Sequence, residues 1–268
     1  MLLKTRNRPG LFSGVADDNI MQEIIISFTG KYGLTKSEVM AEIEAVFSSM
    51  LSRWYRLPVM AFFSADLSLE AVAYNDSGGV IMQVPIDFCQ VKGRATILRS
   101  IEDSLAKTAV LKETTRYKCH EKELRWGEIV GRDQEGNILI EVEVIPNESV
   151  IAVCPLNRVG LHERHSVEFL TGRKRAFHLR RVEPVLLNGT PRLKVIADRV
   201  SKTLVENLLW SHLGAEAEKA RFRCIKRYVG HKSLVLTTKP LPKTAIIAVD
   251  RELKERVQVK VVKALPAG

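Results

Sequence analysis

The stretch that most constrains this chain runs over residues 124–199. In Ile138–Ile145, apolar Ile138, Ile140, Val142 and Val144 alternate with Leu139, Glu141, Glu143 and Ile145. A period of two buries one face of a strand. The Gln134-Glu-Gly-Asn137 turn before it joins it to residues 124–133 as a hairpin. A third apolar run at 149–154 leads into a loop rich in His and Arg, and residues 173–184 and 192–198 read as another strand pair around Asn188-Gly189. Five short strands with a long loop before the fourth predict a five-stranded OB-fold β-barrel over 123–200, an architecture often used for oligonucleotides.

The flanks read as helices and mixed elements. Residues 1–15 read as a flexible basic arm, and Asp17 or Asp18 caps a first helix carrying Ile20, Ile24, Ile25 and Phe28. Thr35-Lys-Ser-Glu38 is a capping box opening a second helix with Val39, Ile43, Val46, Phe47, Met50 and Leu51 on one stripe. Three apolar segments at 59–64, 69–74 and 79–86 predict a meander, and a long helix spans 95–121. Beyond the barrel, Ser201 caps a helix and a charged stretch at 215–220 follows. Strands at 222–228 and 233–238, a helix at 243–256 and a strand at 257–262 complete the order. The class is multi-domain α+β: an α+β N-terminal domain over 16–122, the barrel, and a C-terminal α+β domain over 201–268.

The 268 residues suffice for several small cores, and charge divides them unevenly. Residues 1–125 hold 16 Lys/Arg against 15 Asp/Glu, whereas residues 126–268 hold 25 against 16. That asymmetry is the footprint of a polyanion binder. Cys89, Cys119, Cys154 and Cys224 form no CxxC and read as reduced thiols of a cytoplasmic protein. No apolar run has the length of a membrane span, so no membrane partner is expected.

The densest candidate surface is Arg158, Arg164, Arg173, Lys174, Arg175, Arg180 and Arg181, interspersed with His162, His165 and His178. Such side chains hold phosphates without reading sequence. Trp126, Phe169, Phe177 and His178 are the candidates for base stacking, although Phe177 equally suits the barrel core. A second group holds Arg221, Arg223, Lys226, Arg227, His231, Lys232, Lys239 and Lys243, and reads either as RNA contacts or as a charged sheet edge. His162 and His165 lack further ligands at metal spacing, no phosphate loop or GxSxG is present, and neither metal, cofactor nor catalysis is expected. Met40, Phe47, Met50, Trp54 and Tyr55 offer more apolar area than one helix stripe needs, and read either as domain core or in part as a docking face.

In layout and short phrases the chain resembles the bacterial transcription elongation and termination factor NusA. The resemblance rests on Leu34-Thr-Lys-Ser-Glu38 and Tyr117-Lys-Cys-His-Glu-Lys122 in the N-terminal region, and on Gly127-Glu-Ile-Val-Gly-Arg-Asp133 with Asn137-Ile-Leu-Ile-Glu-Val142 in the first hairpin. It continues through Leu179-Arg-Arg-Val-Glu-Pro184 and Ser201-Lys-Thr-Leu-Val-Glu-Asn-Leu-Leu209. It implies a monomer whose N-terminal domain binds RNA polymerase, with Met40, Phe47, Met50, Trp54 and Tyr55 as the docking face. The barrel and a KH-like domain would then handle nascent single-stranded RNA. A KH domain grips the backbone with a GxxG loop between two helices. Here Lys239-Pro-Leu-Pro-Lys243 and one helix stand in its place, and the chain ends at Gly268, so the resemblance implies a shortened relative lacking GxxG. Two other functions stay open: an RNA-binding regulator of mRNA or ribosomes acting without polymerase, and a basic scaffold for acidic proteins.

Overall fold

The computed structural model describes residues 18–75, 77–88, 91, 93–214 and 221–265, with side chains from residue 21 onward. The arm at 1–15, the Asp17 cap, the side chains of Asp18 and Ile20, Cys89 and the charged stretch at 215–220 lie outside the described residues. The class is mixed α+β, with two three-stranded sheets and one closed barrel. The chain divides into two compact units, Met1–Lys112 and Glu113–Gly268. Among the described residues no helix is long and apolar enough to cross a membrane.

In the first unit, α1 (Asp18–Tyr32) and α2 (Lys36–Tyr55) precede a meander of β1 (Val59–Phe63), β2 (Leu69–Tyr74) and β3 (Val80–Pro85), and α3 (Arg94–Lys118) follows. The capping box forms: the Thr35 hydroxyl accepts from Glu38 N at 3.3 Å and Thr35 N donates to Glu38 Oε2 at 2.6 Å. Lys112, then the Thr35 bonds, hold the Glu38 carboxyl well below its ordinary value, at about 2. The sheet order β1-β2-β3 leaves two edges, and they are treated differently. Glu44, Ser48 and Ser52 of α2, spaced four apart and so on one helix face, accept the N–H groups of Phe63, Ala61 and Val59 at 2.8, 2.8 and 2.9 Å. The β1 edge is thereby satisfied, whereas β3 at the other edge carries no charged side chain and exposes Val80, Ile81 and Met82.

The second unit begins within α3, which ends at Lys118 rather than near Glu121. The chain turns there, with Lys122 at φ 71°. Five strands follow: β4 (Leu124–Arg132), β5 (Ile138–Ile145), β6 (Glu148–Cys154), β7 (Lys174–Leu187) and β8 (Thr190–Asp198). They close into a barrel in the order β4-β5-β6-β8-β7, with β7 returning to β4 and β6 parallel to β8. The alternation in β5 comes out as read, since Ile138, Ile140, Val142 and Val144 all face the core. Asn188 and Gly189 take φ of 51° and 78°, and this tight turn lets β7 and β8 pair out to Leu187 and Thr190, beyond the expected ends.

After the barrel come α4 (Lys202–Leu213), β9 (Phe222–Tyr228), β10 (Lys232–Thr237), α5 (Lys243–Leu253) and β11 (Arg256–Val261). The sheet runs β11-β10-β9, with β10 parallel to β11 and antiparallel to β9. Helix α5 stops three residues before the expected end because Lys254 is left-handed, at φ 50°, so Arg256 opens a strand instead. Leu204, Leu208, Val235, Ala245, Val249 and Leu253 form the core between this sheet and its helices. That core reaches the barrel: Ala176 of β7 belongs to it, and four consecutive β7 residues, Ala176 to Leu179, are buried. The middle of the fourth barrel strand is therefore covered, while Lys174, Arg180 and Arg181 to either side of it stay exposed.

Candidate nucleic-acid interface

The covering of β7 is locked by a side chain for which the sequence offered no local signal. Arg199, the residue after β8, is fully buried, and all of its N–H donors are used. Nε donates to Glu163 Oε1 at 3.0 Å, Nη1 to Ala176 O at 2.6 Å and to Glu252 Oε1 at 2.8 Å, and Nη2 to Glu163 and to Glu252 O. Its guanidinium lies 5.0 Å from the Phe169 ring centroid and 5.7 Å from that of Phe177. Burial opposes the charge, but Glu163 and then Glu252 hold the Arg199 pKa above its ordinary value. The cluster extends through Arg175, which bonds Glu252 at 3.1 Å and Glu168 at 2.6 Å, and through Lys254, 3.1 Å from Glu168.

A second internal network surrounds Glu255, at whose carboxylate Arg227 Nε, Gly230 N and the Ser233 hydroxyl converge at 2.8, 3.1 and 2.7 Å. Arg227 Nη1 also donates to Ser201 O at 2.6 Å. A third joins His178 Nδ1 to Asp198 at 3.2 Å, leaving His178 Nε2 buried with no hydrogen-bond partner among the described residues. Burial would raise Asp198, but the bonds from His178 and the Ser201 N–H outweigh it and keep the carboxyl below the usual range. A carboxylate with a depressed folded pKa stabilises the fold above its unfolded pKa of about 4, and that contribution is lost as pH falls through the folded value. Asp198→Asn should therefore cost about 1–3 kcal/mol at pH 7 and flatten the fall in stability below pH ~4, as read by urea unfolding across pH.

These networks correct the expected site. Arg175, His178 and Arg227 read as RNA contacts, yet His178 and the Arg227 side chain are buried and Arg175 is held in ion pairs, so none of the three is a free phosphate contact. Phe177 and Phe169 are core residues, not stacking platforms. His162 is engaged as well: its Nε2 donates to the Leu253 carbonyl at 3.0 Å. The cations left on the barrel side are Arg173, Lys174, Arg180 and Arg181, exposed, and Arg158 and Arg164, half-buried, with His165 exposed beside them. Arg181 pairs with Glu183 at 3.0 Å and Arg180 lies 3.6 Å from Asp198, whereas Arg173 and Lys174 have no ion pair among the described residues. On the C-terminal sheet Arg223 and Lys226 are exposed and Lys232 is half-buried, with Lys239 exposed before α5 and Lys243 exposed at its first residue. Arg256 and Lys260, exposed on β11, join this sheet; Arg256 was missed because it read as helical, and Lys260 lay in the expected strand at 257–262 but outside the basic group named there.

In the first unit the expected docking residues separate too. Phe47 is buried in the core, which rules it out as a contact, while Met40, Met50 and Tyr55 pack partly buried against that core and Trp54 is 40% exposed. The open apolar surface lies beside them. Leu51, Tyr55 and Val59 face Ile81, Met82 and Val84 across a groove floored by Ala71 and Ala73. Comparison of the chain with protein-family models and with curated proteins returned no match.

Proposed function

We propose that this protein is a non-enzymatic RNA-binding transcription factor of NusA type, which docks on RNA polymerase through its first unit and holds nascent RNA with its second. The observation that carries this reading is the imbalance left after the internal networks are counted. Glu163, Glu252, Glu255 and Asp198 are consumed inside, whereas Arg173, Lys174, Arg223, Lys226, Arg256 and Lys260 are exposed with no ion pair among the described residues. On β9, β10 and β11, which contain no Asp or Glu, such free cations present phosphate-binding charge without acids that would repel a polyanion, whereas Lys174 of the barrel stands opposite Glu128.

The strand order supports reading the barrel as an OB-fold: first with second, second with third, third parallel to fifth, fourth back to first. The succession α4-β9-β10-α5-β11 is that of a KH-like domain reduced by one helix, with no GxxG between β10 and α5. The apolar groove and the uncharged β3 edge give the first unit a face suited to protein docking. Weak RNA affinity becomes effective when polymerase holds the transcript nearby, because tethering converts the second binding event into an intramolecular one. The test is a purified elongation complex on a terminator template, with and without the full chain. The proposal expects a changed terminated fraction or pause lifetime and co-migration with the complex. An unchanged transcript pattern with no co-migration would refute it.

A further inference from the structure

Residues directly opposite one another in a sheet share a face, so the register of the C-terminal sheet sorts its side chains. Thr237 opposite Phe222, Val235 opposite Cys224 and Ser233 opposite Val257 are buried against the helices. The other face consists of three rows: Arg223, Leu236 and Lys260; Lys226, Leu234 and Gln258; Tyr228, Lys232 and Arg256. Five of its nine side chains are cationic, and none of the three strands contains an Asp or Glu. Leu234 and Leu236 form a half-buried apolar stripe down the centre. Tyr228, 46% exposed, is the one aromatic ring, with Lys226 Nζ at 5.2 Å and Lys232 Nζ at 6.0 Å from its centroid.

We infer that this open face, rather than the barrel, is where RNA binds, and that it takes a single strand lying across β9, β10 and β11. The inference rests on the reading of the protein as an RNA binder and names the surface that does it. Charge complementarity selects a polyanion: flanking cations on the outer strands reach phosphates on either side of the central leucines. The ring and the apolar stripe select bases over a smooth charged rod, since unpaired bases offer faces to stack while a duplex hides them. The barrel offers less: the middle of its fourth strand, Ala176 to Leu179, is buried, and Glu128 and Glu141 stand directly opposite each other on its outer side.

The probe is a short fluorescein-labelled single-stranded RNA titrated with the full chain by anisotropy, alongside the same sequence as a duplex and phosphatidylserine vesicles. Arg223→Gln/Lys226→Gln/Lys260→Gln, at exposed positions free of ion pairs, should weaken single-strand binding on the order of tenfold or more. It should also reduce the log-log salt slope by about 2, at ~0.7 per phosphate contact. Tyr228→Ala should weaken it roughly 5- to 100-fold and leave the salt slope unchanged. Arg173→Gln/Lys174→Gln/Arg181→Gln on the barrel should stay within about twofold of the unaltered protein. Circular dichroism and thermal melting establish that each variant is folded, and Lys232→Gln/Arg256→Gln repeats the test should the triple variant fail to fold. A loss confined to the barrel variant would overturn the inference while leaving the RNA-binding reading intact. Duplex bound as tightly as single strand, with no effect of Tyr228→Ala, would overturn the single-strand mode. Vesicle binding without RNA binding, or neither, would overturn inference and reading together.

Discussion

Arg199→Met is expected to destabilise the second unit by about 3–5 kcal/mol, the largest effect of any single substitution considered. Removing one partner of a buried ionic cluster leaves the other charges without compensation. Here the orphan would be Glu163, whose carboxylate faces Arg199, while Glu252 would lose Arg199 Nη1 and keep Ala176 N and Arg175. Ala176 O would also lose a donor. The loss concerns how the C-terminal sheet domain covers β7, so unfolding followed by urea and by near-UV dichroism should lose cooperativity as well as midpoint. Neutralising the cluster together, as Glu163→Gln/Arg199→Met/Glu252→Gln, should recover much of the loss, because an uncharged set of similar shape avoids the desolvation cost. A single-variant loss below ~1 kcal/mol would mean that Arg199 is a bystander.

Gly230→Ala is the second large effect, at about 2–3 kcal/mol. Gly230 sits at φ +75°, where an L-residue costs ~1–2 kcal/mol, and a Cβ there would lie 2.4 Å from His162 Nδ1. Moving the ring atom away strains the Nε2 bond of His162 to the Leu253 carbonyl, worth about 1 kcal/mol. Thermal unfolding of Gly230→Ala, His162→Ala and the double variant separates the parts. Sub-additive losses identify the clash, because removing the ring leaves only backbone strain, whereas strict additivity would show that His162 and Gly230 do not touch.

Local signals were legible in the residues and distant pairings were not. The capping box at Thr35 and Glu38, the alternation of β5 and the Asn188-Gly189 turn each involve residues within a few positions, where propensity and geometry act directly. Arg175 and Arg227 looked like free cations because the buried acids that hold them, Glu252 and Glu255, stand 77 and 28 positions away, and Glu168, the nearer partner of Arg175, lies across a loop where no helical or strand spacing marks the pair. Arg199 sits in an Asp-Arg-Val phrase between strand and helix, with no hint that it closes a core. The C-terminal sheet face was half visible: Arg223, Lys226 and Lys232 stood out, but the left-handed Lys254 ended α5 early and moved Arg256 into β11. The β1 and β3 edges read alike, and only the ladder of Glu44, Ser48 and Ser52 distinguishes the satisfied edge from the open one.

RNA binding by the unaltered chain as salt is raised is the most direct test of the free cations. With about five phosphate contacts, the logarithm of the binding constant should fall linearly with the logarithm of salt concentration, at a slope near −3.5. A weak response with no salt dependence would contradict the account, since the exposed cations would then have no polyanion to meet.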